Sequence, residues 1–308
     1  MKNMQYKCVD VGTEKCPCHL AKAQQCYTCT MLTEGICRCG QNWRGVCPFT
    51  EYSQNNSSPK NLPDEKNFKV IERKKFSDQL WVIRLDVPTG FAQKCRTFGS
   101  YILVKVNEFW VPLSILKSEY TAGNHYIELA IQPVGPKTKD IIDINAKTWK
   151  VKGPFLGGLV GIDDVDLFDG TPLLIIAKGT ALAPVINLKS SLKIEQPGIV
   201  TVFIDGDKLT DTFLNEYMGD VHYQKISLFN DFSIALDLVC MYERVMFLAS
   251  PYYTKKLMEA KSTKRNHKKH VITSNHANIC CGVGMCGSCS FTDENGNTIR
   301  KCKCNLSQ

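Results

Sequence analysis

Cysteines crowd a glycine-rich stretch near the end of the chain, residues 280–289, which reads CCGVGMCGSC. Four residues separate Cys281 from Cys286, two separate Cys286 from Cys289, and Cys302 follows after twelve more. This is the ligand spacing of plant-type [2Fe–2S] clusters, which need four thiolates. The three glycines of the stretch allow backbone N–H groups to turn toward the sulfurs. The spacing therefore predicts a [2Fe–2S] cluster held by Cys281, Cys286, Cys289 and Cys302.

Two other uses of these thiols stay open at this point. A zinc site normally takes two separated Cys-x-x-Cys pairs, and only the Cys286/Cys289 pair has that form here. A pair of disulfides is the other alternative. Cys280 and Cys304 are alternate ligands, because one directly precedes the first predicted ligand and the other follows the last by two residues.

Eight further cysteines fall in the first fifty residues, which carry little apolar periodicity. Such a segment needs something other than a hydrophobic core to hold it. Iron–sulfur clusters, zinc ions and disulfides all stay open, although the three closely spaced cysteines of bacterial ferredoxins are absent. We predict a metal-held N-terminal module whose ligands are Cys8, Cys16, Cys18, Cys26, Cys29, Cys37, Cys39 and Cys47.

Composition limits the class of protein. The chain has 308 residues, enough for two or three domains, and 44% hydrophobic residues, enough for ordinary cores. Sixteen cysteines without an export signal favour a reducing, cytoplasmic location and metal ligation. The most apolar stretch, residues 172–186, is interrupted by Lys178 and is too short to span a membrane. We therefore expect no membrane span.

The net charge of +8 is concentrated in one run, residues 255–270. This run lacks the interleaved aromatic residues of a surface that stacks on bases. We interpret it as a solvated helix end and loop, and we expect no nucleic-acid partner.

Polar, glycine and proline residues divide the chain into segments, which indicate the elements that position these cysteines. The polar stretch 54–63 is a linker. Six short segments rich in β-branched and aromatic residues then occupy 68–153, which predicts a small antiparallel β-barrel. After Gly170, apolar strands alternate with helical segments as far as residue 274. This alternation predicts an α/β domain with a doubly wound parallel sheet, whose ligands lie beyond the carboxyl ends of the strands.

This order of segments resembles the ferredoxin–NADP reductase superfamily, in particular the electron-transfer subunit of dihydroorotate dehydrogenase and its sulfide dehydrogenase relatives. The resemblance covers about three quarters of the chain, from Phe68 to Cys302. It is carried by GSYILVKV (99–106), VPLSI (111–115), VGPKTKDI (134–141), KGPFLGG (152–158), AKGTALAP (177–184) and SNHANICCGVGMCGSC (274–289).

The resemblance implies an FAD-binding barrel, an NAD(P)-type domain and a C-terminal cluster. We expect domains at residues 1–53 (cysteine-rich module), 67–160 (barrel), 161–272 (α/β domain) and 273–308 (cluster segment), with 54–66 as the linker. The implied FAD residues are Pro112, Leu113, Ser114, Ile115, Lys137, Thr138, Gly153 and Pro154. The implied pyridine-nucleotide residues are Gly179, Thr180 and Pro184.

Four positions depart from the family pattern. Val111 stands where relatives have the arginine that binds FAD phosphates, so Lys137, Thr138 and backbone N–H groups must replace it. Lys178 and Ala181 replace glycines of the nucleotide turn, and His276 replaces a glutamate near the nicotinamide. Whether NAD(P)H binds therefore stays open.

Two classes of function follow. The first is an electron-transfer iron–sulfur flavoprotein, an oxidoreductase that connects NAD(P)H, FAD and the cluster with a redox partner or catalytic subunit. A hetero-oligomer with that partner is compatible with this class. The second class is a non-catalytic interaction or redox-sensor protein, which would explain why the flavin and nucleotide positions have changed together.

Overall fold

A computed structural model describes residues 7–37, 47–60, 64–121, 123–162, 170–189, 191–192, 199–263, 270–275, 279–293 and 296–305. The helices are α1 His19–Lys22, α2 Thr30–Glu34, α3 Pro48–Gln54, α4 Thr89–Cys95, α5 Pro136–Asp143, α6 Ala183–Asn187, α7 Asp211–Met218, α8 Phe232–Met241 and α9 Pro251–Thr263. The strands are β1 Lys7–Cys8, β2 Lys66–Ser77, β3 Leu80–Asp86, β4 Tyr101–Val106, β5 Phe109–Ser114, β6 Lys117–Thr121, β7 Asn124–Ile131, β8 Thr148–Phe155, β9 Leu159–Val160, β10 Leu173–Lys178, β11 Val200–Asp205, β12 Gln224–Lys225, β13 Arg244–Leu248, β14 His270–Ser274, β15 Ser290–Thr292, β16 Thr298–Arg300 and β17 Cys304–Asn305.

The first large sheet is antiparallel and has seven strands in the order β5-β4-β8-β2-β3-β7-β6. Side chains alternate between its two faces, as they must in a pleated strand. In β4, Ile102, Val104 and Val106 point into one apolar core, while Tyr101 and Leu103 belong to a second cluster on the opposite face. The predicted antiparallel domain is thus present. In the described residues its edge strands β5 and β6 do not pair with each other, so closure into a barrel is not shown.

The second large sheet has six strands in the order β12-β11-β10-β13-β14-β9. The pairs among its first five strands are parallel, and β9 joins β14 in the antiparallel direction. Strand β10 is apolar and almost fully buried because helices cover both faces of a parallel sheet. The predicted strand–helix alternation is confirmed in this part of the chain.

Two elements differ from the sequence prediction. Strand β6 was not expected, because its residues, KSEYT, alternate too weakly to stand out from a turn. Residues 221–229 stand at a strand position of the predicted strand–helix alternation, but the strand there is limited to Gln224–Lys225. It lies at the edge of the sheet, where one neighbour supplies half the usual hydrogen bonds.

A buried carboxylate joins the two large sheets. Glu128 on β7 is 2% exposed. It accepts a hydrogen bond from Arg84 Nη2 at 2.6 Å and another from the Tyr217 hydroxyl of α7 at 3.0 Å. Because the hydroxyl donates to a carboxylate in a desolvated site, the pKa of Tyr217 is raised. This network holds the α/β domain against the antiparallel sheet.

The cysteine-rich module packs against the C-terminal segment of the chain. Strand β1 pairs with β17 in the antiparallel direction, with Cys8 opposite Cys304. Beside this pair, Asp10 and Lys303 form an ion pair whose side chains are 4% and 1% exposed. The start of the linker folds back on the module, where the Lys60 N–H donates to the Pro17 carbonyl at 3.0 Å. The two ends of the chain therefore form one packed unit.

The helices in the described ranges include none that is both long and apolar enough to cross a membrane.

Candidate metal centre

The predicted cluster loop connects β14 to the β15–β16 hairpin. Gly282, Gly284 and Gly287 have φ angles of 67°, 76° and 72°, in the left-handed region that favours glycine. A Cβ added to Gly282 would lie 3.0 Å from the Phe155 ring, and one added to Gly284 would lie 3.0 Å from Leu20. The glycines therefore serve both the turn of the loop and its close packing between the sheet and the N-terminal module.

This loop and the strand after it bring the four predicted ligands together. Cys302 lies within hydrogen-bonding reach of the sulfurs of Cys281 and Cys289, and Cys286 lies within reach of the sulfur of Cys281. Backbone N–H groups add to these contacts: Cys286 donates to Cys281 Sγ and Cys302 donates to Cys289 Sγ, each at 3.4 Å. Cys280 is exposed and makes no such contact among the described residues.

These hydrogen bonds set the charge of the site. The hydrogen bond from the Cys302 thiol lowers the pKa of Cys281 to about 4, and backbone N–H groups assist. The same donor lowers the pKa of Cys289 to about 6. The pKa of Cys302 is raised because it donates to both sulfurs. These contacts thus favour the thiolate form of Cys281 and Cys289, the form of cysteine that binds metals.

The surroundings of the four thiols are apolar. Tyr101 and Phe155 lie stacked with ring centroids 5.3 Å apart, on the sheet face that carries the loop. Ile279 and Val283 of the loop pack against them, and the side chains of Cys289 and Cys302 join the same cluster. The apolar wall keeps water from one side of the site.

The donor set fits a binuclear cluster better than a single ion. Only the Cys286/Cys289 pair has the Cys-x-x-Cys form that zinc sites normally take twice. The spacing of the four cysteines is that of a plant-type [2Fe–2S] cluster, which takes two thiolates on each iron. Zinc would require four sulfurs around one centre.

The predicted flavin residues lie on two faces of the sheet. On β5, Leu113 points into the apolar core, as does the neighbouring Ile115. Pro112 and Ser114 alternate with them and are partly exposed. Val111, which stands where relatives have an arginine, also faces the core. Among the predicted residues of this strand, only Pro112 and Ser114 lie on its outer face.

The remaining flavin residues lie at two turns. Lys137 is exposed in the first turn of α5, with its ammonium 4.6 Å from the centroid of the Phe109 ring. The Thr138 hydroxyl accepts a hydrogen bond from the Gly135 N–H at 3.2 Å and so caps the helix. The turn Gly153–Pro154 is contacted by Lys15, whose ammonium donates to the Pro154 carbonyl.

Sequence reasoning missed Lys15. Its ammonium lies 4.8 Å from the centroid of the Phe155 ring, and desolvation lowers its pKa. The residue belongs to the N-terminal module, which has no counterpart in the family pattern. The sequence motifs therefore gave no indication of the contact between Lys15 and the Gly153–Pro154 turn.

The predicted nucleotide turn is engaged with other parts of the protein. Gly179 and Thr180 lie in a 3-10 turn after β10, and Pro184 is buried in α6. A Cβ on Gly179 would lie 3.2 Å from the Gln132 side chain of the antiparallel sheet. The turn is thus closed against that sheet.

A partly buried ion pair occupies the ends of β10 and β11. Lys178 Nζ lies 2.9 Å from Asp205 Oδ2 and 3.7 Å from Asp207 Oδ2. In doubly wound folds an acidic residue near this edge binds the ribose hydroxyls of a dinucleotide. Here the Asp205 carboxylate is paired internally, so the residues present fit a pyridine nucleotide poorly. His276, which replaces the family glutamate, lies outside the described residues.

The structure separates the N-terminal cysteines into two sets. One cavity is lined by Cys8, Cys16, Cys18, Cys26 and Cys29. Cys37 and Cys47 do not line this cavity: Cys37 is exposed, and Cys47 directly precedes α3. Cys39 lies outside the described residues.

Comparison with known proteins gives a fold. No family model and no curated protein matches this sequence. Among solved structures, an NADH-dependent reduced ferredoxin–NADP oxidoreductase superposes with a TM-score of 0.55 and 16% identity, over 80% of this chain and 90% of that one. A ferredoxin reductase of carbazole 1,9a-dioxygenase superposes with a TM-score of 0.53 and 15% identity, over 69% of this chain and 67% of that one. Phthalate dioxygenase reductase superposes with a TM-score of 0.50 and 14% identity, over 79% of this chain and 96% of that one.

These structures share the arrangement derived above, an antiparallel sheet followed by an α/β domain. At these sequence identities the similarity shows the fold alone. The architecture of the body thus agrees with the family resemblance of its motifs. The chain has the fold of these solved reductases.

Proposed function

We propose that this protein is an electron-transfer oxidoreductase that carries a [2Fe–2S] cluster on Cys281, Cys286, Cys289 and Cys302. The observation that carries the proposal is the contact network of these four thiols on the fold of electron-transfer reductases. One similar structure, phthalate dioxygenase reductase, is described by its title as a module for electron transfer from pyridine nucleotides to [2Fe–2S]. When bound, such a cluster accepts and gives up one electron at a time.

The chain's own residues prepare this site. Cys281 and Cys289 accept hydrogen bonds from backbone N–H groups, which offset the negative charge of a thiolate-ligated cluster. The stacked rings of Tyr101 and Phe155 exclude water on one side. Cys286 is exposed, so the opposite side is open to a redox partner protein.

FAD is the second cofactor of the proposal. Pro112 and Ser114 on the outer face of β5 would lie against its ring system, and Lys137 and Thr138 at the start of α5 would hold its phosphates. Bound FAD converts between two-electron and one-electron transfers. Because Val111 faces the core, the phosphate charge would be met by Lys137 rather than by an arginine on β5.

The flavin proposal predicts a charge-specific effect at α5. Lys137→Glu should weaken FAD binding about tenfold or more, because it places like charge against the phosphates. Lys139→Glu is the matched control, since Lys139 is exposed on the same helix and is not a predicted contact. Flavin bound per chain is measured by absorbance after gel filtration. Equal flavin occupancy in the two variants would remove Lys137 from the site.

A second candidate function is a non-catalytic interaction or redox-sensor protein. The internal Lys178–Asp205 pair favours it, because an acidic group that would meet a dinucleotide is already neutralised. The two functions differ in one measurement. Titration with NADH or NADPH under anaerobic conditions reduces the flavin of a reductase, whereas a sensor shows no spectral change with either nucleotide and responds to dithionite alone. In either case we infer that a partner redox protein exchanges electrons with the cluster.

A further inference from the structure

The cavity in the N-terminal module concentrates thiols to an unusual degree. Five of the cysteines described in this module line it, together with apolar side chains that include Leu20, Ala21 and Leu32. None of the described cysteines forms a disulfide. The lining is therefore a set of unlinked sulfur donors held within an apolar wall.

This part of the protein has few buried apolar side chains of its own. In residues 7–37 the buried aliphatic side chains are Leu20, Ala21 and Leu32, and helices α1 and α2 have four and five residues. Such a small apolar core does not stabilise a fold by itself. Metal ligation supplies the missing free energy in small domains of this kind.

The thiols approach the cavity from two loops. Cys16 and Cys18 precede α1, and Cys26 and Cys29 precede α2. Cys8 differs from these four because it lies in β1, where the ladder with β17 fixes its backbone. The two loops thus offer four ligands as two close pairs, and Cys8 lies between them and the C-terminal segment.

The form of the site favours a cluster over a zinc ion. A tetrahedral zinc site requires sulfurs about 2.3 Å from one centre. Zinc sites usually take Cys-x-x-Cys pairs, whereas a single residue separates Cys16 from Cys18. A polynuclear cluster spreads its thiolates around a larger core, and an apolar, cysteine-lined cavity suits it.

The cavity also adjoins the C-terminal thiols. Cys8 lines the cavity and pairs across the ladder with Cys304, which follows the ligand Cys302 by two residues. The Val9 N–H donates to the Lys303 carbonyl at 2.9 Å. Leu20 of the cavity wall packs against Gly284 of the cluster loop. One β-ladder therefore connects the two sets of thiols.

We propose that Cys16, Cys18, Cys26 and Cys29 ligate a second iron–sulfur cluster, placed in series with the C-terminal cluster across the Cys8–Cys304 ladder. One electron leaves one cluster, which is oxidised, and enters the other, which is reduced; no bond or proton changes. The series arrangement rests on the proposed function, whereas the second cluster itself does not. This module then offers electrons a second point of entry or exit, besides the exposed Cys286 side of the C-terminal cluster.

The ligand set is tested in a Cys286→Ser background, where the remaining iron belongs to the N-terminal module. After anaerobic reconstitution we expect this protein to retain at least about two irons per chain. Adding Cys26→Ser should remove them, whereas Cys37→Ser and Cys47→Ser, matched controls outside the cavity lining, should not. Bound zinc in place of iron, or equal loss in the controls, would overturn the assignment.

A measurement on the unmodified protein guards against misfolded variants. Alkylation of the folded holoprotein, mapped by mass spectrometry, should spare Cys16, Cys18, Cys26 and Cys29 and label the exposed Cys37. Free labelling of the four thiols would contradict the site. If Cys286→Ser removes no iron while Cys26→Ser does, the proposed C-terminal cluster and the series arrangement fail, and the N-terminal cluster stands.

The series arrangement has its own readout. Adjacent reduced clusters couple magnetically, so the EPR spectrum of the fully reduced protein should be broadened or split. Cys286→Ser should leave a simple spectrum from the N-terminal cluster. If the spectrum of the unmodified protein is the plain sum of two independent signals, the clusters are not neighbours.

Discussion

Replacing Cys286 by serine should abolish the EPR signal of the C-terminal cluster and lower bound iron by about two atoms per chain. We expect complete loss because a cluster held by three thiolates is labile. Among the described sulfurs, Cys286 contacts only that of Cys281. Cys286 is exposed on a loop, so the substitution should leave the two large sheets folded. Iron analysis and EPR of the dithionite-reduced protein check this.

Cys280→Ser provides the matched control. Cys280 lies in the same loop and is exposed, but it has no contact with the four thiols in the described structure. It should keep both its iron and its signal. A Cys286 variant with an unchanged signal, or a Cys280 variant that loses it, would contradict the ligand assignment.

Removing the Asp10 carboxylate should have the largest effect on stability. Asp10→Ala leaves the Lys303 ammonium buried without its partner, and breaking a buried pair in this way costs about 3–5 kcal/mol. The loss should fall on the unit formed by β1 and β17. The urea dependence of hydrogen exchange at the β1 and β17 amides measures the free energy of opening this unit.

A surface ion pair of the same module is the control. Glu14 and Lys94 lie 2.8 Å apart with side chains that are 69% and 58% exposed, so Glu14→Ala should change the free energy of unfolding by about 0–1 kcal/mol. Asp10→Ala combined with Lys303→Met should recover part of the loss, because it removes the buried charge. Equal stability of the Asp10 and Glu14 variants would show that the buried pair does not hold the module.

Local patterns predicted most of the body of the protein. Strands β3, β4 and β10 carry dense β-branched and apolar runs, and the alternation of strands and helices after Gly170 predicted a parallel sheet. Such signals are read within a few residues of one another. A local signal of the same kind, the cysteine spacing, predicted the four C-terminal cysteines as cluster ligands.

What sequence reasoning missed depends on contacts between distant residues. The Lys178–Asp205 pair joins the ends of two parallel strands, and nothing local indicates that this lysine is neutralised rather than free for a phosphate. The orientation of Val111 toward the core follows from the register of β5, which a one-residue shift would reverse.

The same holds for the N-terminal module. The sequence indicated a metal-held module joined to the rest of the chain by a polar linker. Its β1 strand instead pairs with β17 at the far end of the chain, and the Asp10–Lys303 pair is buried beside it. No pattern within the first fifty residues contains that partner.

The absorption spectrum of the anaerobically purified full-length protein, recorded before and after reduction with dithionite, tests the central claim most directly. We predict a flavin peak together with broad sulfur-to-iron charge-transfer bands, both bleached by dithionite. Bands without a flavin peak would move the protein to the sensor class. A colourless protein that contains zinc and no iron would contradict the proposal that it transfers electrons.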